Sequence, residues 1–382
     1  MITERLAMWG LVVLYGGIVP FFFWQGMQDV GLLKRILYVG GVIVSFLSLV
    51  LGMAKRRQPL SLSVAIIPPS AAYLIGLPAI ALLLPGPTAR VAEEAAFGLA
   101  YLIVVVMATH LWRGEADPGG RALRRISVIV AGAGAGVALL GVLQYYWNDW
   151  FSWTRVSLAS PWGTRIFSTV GNPNWCADVL IQTFPLMAVC AAMARRAWAR
   201  VAWGLASVAG YAALILTGSM GGLAGWLASV VLLGWWIVAR RPLLRRWAVV
   251  LGAALLAVTV VYTWPSRRPP GGAQGQASTL VRLAQTTAGD TYSLGQRALI
   301  ARDTLRMALA HPIFGVGAGR YVSLFPLHMG GDLWEVIPLG RLVDYAHNEY
   351  LQVAAEGGIV GVAILAWLLI AYGRTAWRLR DH

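Results

Sequence analysis

The run Ile36-Leu37-Tyr38-Val39-Gly40-Gly41-Val42-Ile43-Val44-Ser45-Phe46-Leu47-Ser48-Leu49-Val50-Leu51-Gly52-Met53 carries no charge, and Lys55-Arg56-Arg57 follows it almost at once. A bilayer core of about 30 Å needs roughly 20 apolar residues in helical form. This run is close to that length, and basic residues just past its end are the mark of a cytoplasmic boundary. Similar runs occur at about 7–25, 64–84, 92–112, 126–146, 174–194, 200–218, 221–239, 247–264 and 355–373. They predict an all-α integral membrane protein with about ten membrane-spanning helices.

Composition agrees with that reading. Of 382 residues, 58% are hydrophobic and only 12% are charged, about half the charged share of an ordinary soluble domain. The 43 glycines suit close helix packing in lipid, and many of the 18 tryptophans sit near the ends of apolar runs, as an interfacial belt would place them. A net charge of +15 invites a nucleic-acid hypothesis. The charges, however, fall in short clusters between apolar runs and form no basic stripe between aromatic platforms, so no nucleic-acid partner is expected. Cys176 and Cys190 share one apolar run, which argues against a disulfide framework or a cysteine metal site. The first apolar run lacks a small-residue cleavage site after it and reads as a retained span.

Lysine and arginine in the short loops orient the spans. With the N-terminus inside, the cytoplasmic segments hold 18 of them and the short outer loops only five, Lys34, Arg35, Arg90, Arg155 and Arg165. Both termini are therefore expected inside. Four regions follow: five spans in 1–146, an outer segment and spans six to nine in 147–264, a large outer loop in 265–354, and the last span with a cytoplasmic tail in 355–382. Within the large loop, Ser293 to Leu309 has helical spacing, His311-Pro312 ends that helix, and Gly315, Gly317 and Gly319 make a turn.

Of the five histidines, His110, His311, His328 and His382 fit structural or incidental roles. His347 stands where the outer loop re-enters the membrane, between Asp344 and Glu349. A histidine near a carboxylate can be held in one tautomer and used as a general base. The plainer alternative is an interfacial histidine at the start of the last helix. The outer arginines form a second set: Arg165 shortly before Gly171-Asn172-Pro173-Asn174, Arg297 on the loop helix, and Arg320 after the glycine turn. The guanidinium fork suits phosphate oxygens, and a glycine turn lets backbone N–H groups approach an anion. A zinc-binding HExxH pair, a Walker loop, a Rossmann glycine signature and an outer Asp-x-Asp cluster are all missing from the sequence. Chemistry here is expected to need no metal and no cofactor.

Four stretches carry a resemblance: Gly171-Asn172-Pro173-Asn174, Thr217-Gly218-Ser219, His311-Pro312-Ile313-Phe314-Gly315-Val316-Gly317, and His347-Asn348-Glu349-Tyr350-Leu351-Gln352. Together they resemble the O-antigen ligase / O-antigen polymerase-like family. The last block is the sharpest, because the family pattern of His-Asn, nine residues, Gly, two residues and Gly is met by His347-Asn348, Gly358 and Gly361. The resemblance covers roughly 150–372.

It implies a GT-C-like architecture and a metal-independent, inverting glycosyltransferase. Such an enzyme takes a glycan from an undecaprenyl-pyrophosphate carrier at the outer face of the bacterial inner membrane. The acceptor hydroxyl belongs to lipid A-core in ligases, to another glycan in polymerases, and to protein in O-oligosaccharyltransferases. His347 would be the catalytic base, and Arg165 and Arg297 would bind pyrophosphate, with Arg320 added from its place beside the glycine turn. Asn172, Asn174, Asn348 and Glu349 would support them. Two departures stand out: Met220 occupies the place of an arginine common in relatives, and one span follows the histidine where ligases commonly have twelve spans in all. Readings of other classes are an inorganic-carbon or solute transporter and a non-catalytic envelope scaffold. The scarcity of ionisable residues in the apolar runs argues against a transporter.

Overall fold

The computed structural model describes residues 9–10, 12–14, 30–56, 60, 63–113, 121–147, 165–240, 245–263, 292–337 and 342–379. Among them the chain is helical: α1 Val30–Arg56, α2 Ile67–Leu83, α3 Ala89–Arg113, α4 Arg121–Tyr146, α5 Pro173–Met193, α6 Ala197–Thr217, α7 Met220–Arg240 and α8 Arg245–Thr263. Then follow α9 Tyr292–Ala310, the short α10 Tyr321–Leu324 and α11 Gly331–Val336, and α12 Glu349–Leu379. The expected apolar runs from 36–53 onward each lie within one of these helices or overrun its ends by at most three residues. The run 7–25 and the stretch 264–291 of the large outer loop lie mainly outside the described residues. Six of the described helices are long and apolar enough to cross a membrane.

Contacts divide the chain into two units that cut across the four regions expected from sequence. One holds Met1–Glu4, Val42–Ala116 and Gly289–His382, and the other holds Arg5–Gly41 and Asp117–Ala288. In the second, α4, α5 and α6 pack on one another, and small residues set the spacing. A Cβ on Gly134 would lie 2.2 Å from Thr183 Oγ1, and one on Gly222 would lie 2.7 Å from the Ala177 methyl. The core between these helices is aromatic and aliphatic, with Tyr211 stacked on Trp226 at 4.1 Å and Phe184 edge-on to the same indole.

In the first unit, α9 packs on α12. Its core holds Ile300, Met307, Val316, Phe325 and Ala355, with Tyr321 stacked on Phe325 at 4.7 Å. Buried Asp303 knits the loop together: its carboxylate accepts from Arg302 at 2.8 Å, from Arg306 at 3.0 Å and from the Gly330 N–H at 2.9 Å. Arg302 also grips exposed Asp332, whose carboxyl is held down at about 2 by that guanidinium.

α2 and α12 depart from regular helix. Residues 72–76 of α2 form a π turn, a feature that often accompanies functional sites. α12 is broken at Gly358, whose φ of 56° and ψ of −153° are non-helical. The break frees backbone groups that must be satisfied in a membrane, and the His311–Gly317 stretch satisfies them. The Val316 and Gly317 N–H groups donate to the carbonyls of Ala355 and Glu356, both at 2.9 Å. The Ile359 and Val360 N–H groups donate to Pro312 and Ile313. Glycine is required on both sides of this clasp, since a Cβ on Gly315 would lie 2.4 Å from the Glu356 carbonyl carbon and one on Gly358 would lie 2.4 Å from Ile313 O. The expected glycine turn is present, with positive φ at Gly315, Gly317 and Gly319.

Candidate active site

The second unit organises Arg165. Two backbone N–H groups just after it, of Phe167 and Ser168, donate to the buried Gln144 side chain at 3.1 and 2.9 Å, and the Ser168 hydroxyl donates to Val137 O. Ser168 is held at a left-handed φ of 50° by these bonds. Asn172 caps α5: its Oδ1 accepts from the Asn174 N–H at 2.8 Å, and Pro173 takes the first helical position, where no donor is needed. Arg165 then joins two motifs. Its Nε donates to the Thr217 carbonyl at 2.6 Å and its Nη2 to Asn174 Oδ1 at 2.7 Å.

Thr217 closes α6, Gly218 turns the chain at φ 61°, and the Ser219 hydroxyl accepts from Gly222 N. The Thr-Gly-Ser stretch is thus a helix-to-helix turn whose buried Thr217 carbonyl orients an arginine. Met220 simply begins α7.

The first unit organises His347. Asn348 caps α12, its Oδ1 accepting from Tyr350 N at 3.0 Å and Leu351 N at 3.2 Å. The Gln352 side chain reaches back to the Ala346 N–H at 2.8 Å. With both neighbours pinned, His347 is forced to a φ of 53°, a region a non-glycine residue occupies at a cost of order 1–3 kcal/mol. The imidazole is solvent-accessible. Desolvation by the surrounding protein lowers its pKa below the ordinary histidine value, the Arg297 charge lowers it further, and Asp344 opposes both. The ring is therefore neutral at neutral pH, the form a general base requires. Arg297 is exposed on α9, and Glu349 is exposed in the first turn of α12.

Arg320 corrects one expectation. It is fully buried, and its guanidinium is committed to backbone carbonyls: Pro87 O at 3.0 Å, Pro85 O at 2.9 Å, Leu84 O at 3.0 Å and Val316 O at 3.4 Å. The glycine turn admits this side chain rather than an anion, because a Cβ on Gly317 or Gly86 would press on it. Arg320 is a strut between the 84–87 loop and the clasp.

A cavity of about 340 Å³ lies in the same unit, between the π turn of α2, α3, the Ala318–Val322 stretch and the start of α12. Glu94 and Glu356 face it. Sequence reasoning missed both as site residues: Glu94 sits at a helix start, and Glu356 is an acid inside the last apolar run. The usable signal was that an acid inside such a run is costly unless it serves a site. Glu356 accepts from the Tyr321 N–H at 3.0 Å, and burial pushes the Tyr321 phenol well above its ordinary value.

Six apolar helices, the buttressed helix α9 and a strained histidine at a helix cap define a multi-pass helical membrane protein with a candidate base. Residues 205–366 match the family model described as O-antigen ligase. The matched stretch contains the Thr217–Ser219 turn, the His311–Gly317 clasp and His347, while the Arg165 segment precedes it. Proteins of this family are ligases and polymerases of glycosyltransferase type. No curated protein matches the chain.

Proposed function

We propose that this protein transfers a glycan from undecaprenyl pyrophosphate to an acceptor hydroxyl at the outer face of a bacterial inner membrane. The observation that carries the reading is His347, strained and pinned at the cap of α12, kept neutral by desolvation and by Arg297, within the matched family region. His347 takes the acceptor proton as the hydroxyl oxygen attacks the sugar carbon. The carbon–pyrophosphate bond breaks on the opposite face, so the configuration inverts, and undecaprenyl pyrophosphate leaves with the bonding electrons.

Arg297, in the unit that carries His347, stabilises the charge that develops on the leaving group; Arg165, held in orientation by Asn174 and Thr217, is the second donor-binding residue that the resemblance implies. No step calls for a metal. Ten spans with both termini inside would put the clasp, His347 and the Arg165 segment on the outer side. Lipid A-core, a second glycan and a protein hydroxyl are the acceptor classes this chemistry admits.

Purified protein in nanodiscs, given an undecaprenyl-pyrophosphate glycan and a panel of these acceptors, tests the reading. Glycan transfer with release of undecaprenyl pyrophosphate is expected. Solute flux without transfer to any acceptor would show a transporter instead.

A further inference from the structure

The carboxylates around the 340 Å³ cavity face the wrong way, chemically, for a pyrophosphate donor. Among the described residues, Glu94, Asp344, Glu349 and Glu356 line it against one basic side chain, Arg90. Such a wall repels an anion and accepts hydrogen bonds from hydroxyl or ammonium groups. Tyr73, Tyr101 and Tyr345 add aromatic rings with phenol groups to the lining, and Gln352 adds an amide. The volume falls in the range of about 300–1,000 Å³ that holds small ligands.

The position matters as much as the chemistry. Asp344, Tyr345 and Glu349 flank His347 in the chain and also line the cavity. Arg297 does not line it. The backbone is kept bare around the space, since a Cβ on Gly98 would lie 1.9 Å from Leu74 O of the π turn, and one on Gly319 would lie 3.1 Å from the Glu94 side chain. Acidic groups on apolar helices are costly and are retained where they serve a ligand path or site. Glu356 also accepts from the Tyr321 N–H.

We infer that this cavity is the acceptor subsite, and that it takes a neutral or amine-bearing sugar ring in preference to a phosphorylated one. The inference rests on the glycosyl-transfer reading for its meaning but makes a separate claim about binding. Saturation-transfer NMR on the full chain in nanodiscs tests it with three probes: lactose, a glucosamine disaccharide and glucose 6-phosphate. Undecaprenyl pyrophosphate is titrated in parallel.

The first two sugars are expected to bind the wild type, and glucose 6-phosphate at least roughly tenfold more weakly. Glu94→Gln should weaken the glucosamine disaccharide by roughly tenfold, the loss of one charged hydrogen-bond partner. Tyr101→Ala should weaken both unphosphorylated sugars. Undecaprenyl pyrophosphate should bind both variants as it binds the wild type. Sugar binding unchanged in both variants, or preference for glucose 6-phosphate, overturns the acceptor subsite even if the donor binds. Sugars that bind as expected while undecaprenyl pyrophosphate does not bind at all would sustain the subsite and sink the donor reading.

Discussion

His347 is held at φ 53° by its neighbours rather than by its own side chain, since Gln352 fixes the Ala346 N–H and Asn348 caps α12. That leaves the imidazole available for proton transfer. Its pKa lies below the ordinary value, so protonation removes the base only at correspondingly acid pH, and the rate should fall on that acid side. Arg297 contributes to the lowering, so Arg297→Ala should raise the His347 pKa and move the acid limb of the rate profile to higher pH. A profile measured under saturating donor checks this, and an unmoved limb would contradict the pairing.

Two other arginines separate in the same way. Arg320→Ala would leave the carbonyls of Leu84, Pro85 and Pro87 without their donor, at a cost of about 1–3 kcal/mol for each that stays unsatisfied. It should lower Tm sharply and spare donor affinity in whatever fraction folds. Arg165→Ala should weaken donor binding by roughly tenfold or more with a smaller loss in Tm. Thermal unfolding and donor titration of the two variants give the comparison. The contrast also marks what sequence could not supply: all three arginines look alike as letters, and only burial and partners distinguish a strut from a ligand-facing group.

At the level of elements, the break in α12 and the His311–Gly317 stretch form one device. A helix opened at Gly358 in a membrane would leave carbonyls and N–H groups unsatisfied. The stretch closes four of them through Val316, Gly317, Ile359 and Val360. Gly358→Ala brings both a left-handed φ and a contact of 2.4 Å to Ile313 O, and should cost at least about 1–3 kcal/mol. Thermal unfolding in detergent measures it, and an unchanged Tm would contradict the clasp.

This device was half legible beforehand. Helical spacing gave α9, His311-Pro312 gave its end, and the glycines gave the turn. Nothing local says that a loop about forty residues upstream will enter a helix and complete its hydrogen bonds, because that pairing is long-range. The same limit hid the meeting of Gly171-Asn172-Pro173-Asn174 with Thr217-Gly218-Ser219 on Arg165, which joins positions 52 apart.

For the whole molecule, the apolar periodicity made the helices readable almost to their ends, since lipid leaves few other solutions for a backbone. The two interleaved units were not readable, because apolar runs carry no mark of which neighbour they choose. The cavity was equally hidden, being assembled from α2, α3 and α12 by tertiary packing. Sidedness rests on the charge count. Arg320 fits it, tying the 84–87 loop to the clasp at one end of a unit. With Cys176 and Cys190 replaced by serine, Thr88→Cys should react with an impermeant maleimide from outside the cell. Arg196→Cys should react only after permeabilisation, and the reverse pattern would invert the topology.

The central claim is that His347 is the base of a glycosyl transfer. It is tested most directly by single-turnover transfer from an undecaprenyl-pyrophosphate glycan, comparing His347→Ala with the wild type while donor binding is monitored in the same samples. The account predicts a rate lower by roughly 10²–10⁴-fold, the usual contribution of a general base, with donor binding retained. Transfer at the wild-type rate in a variant that still binds donor would contradict it.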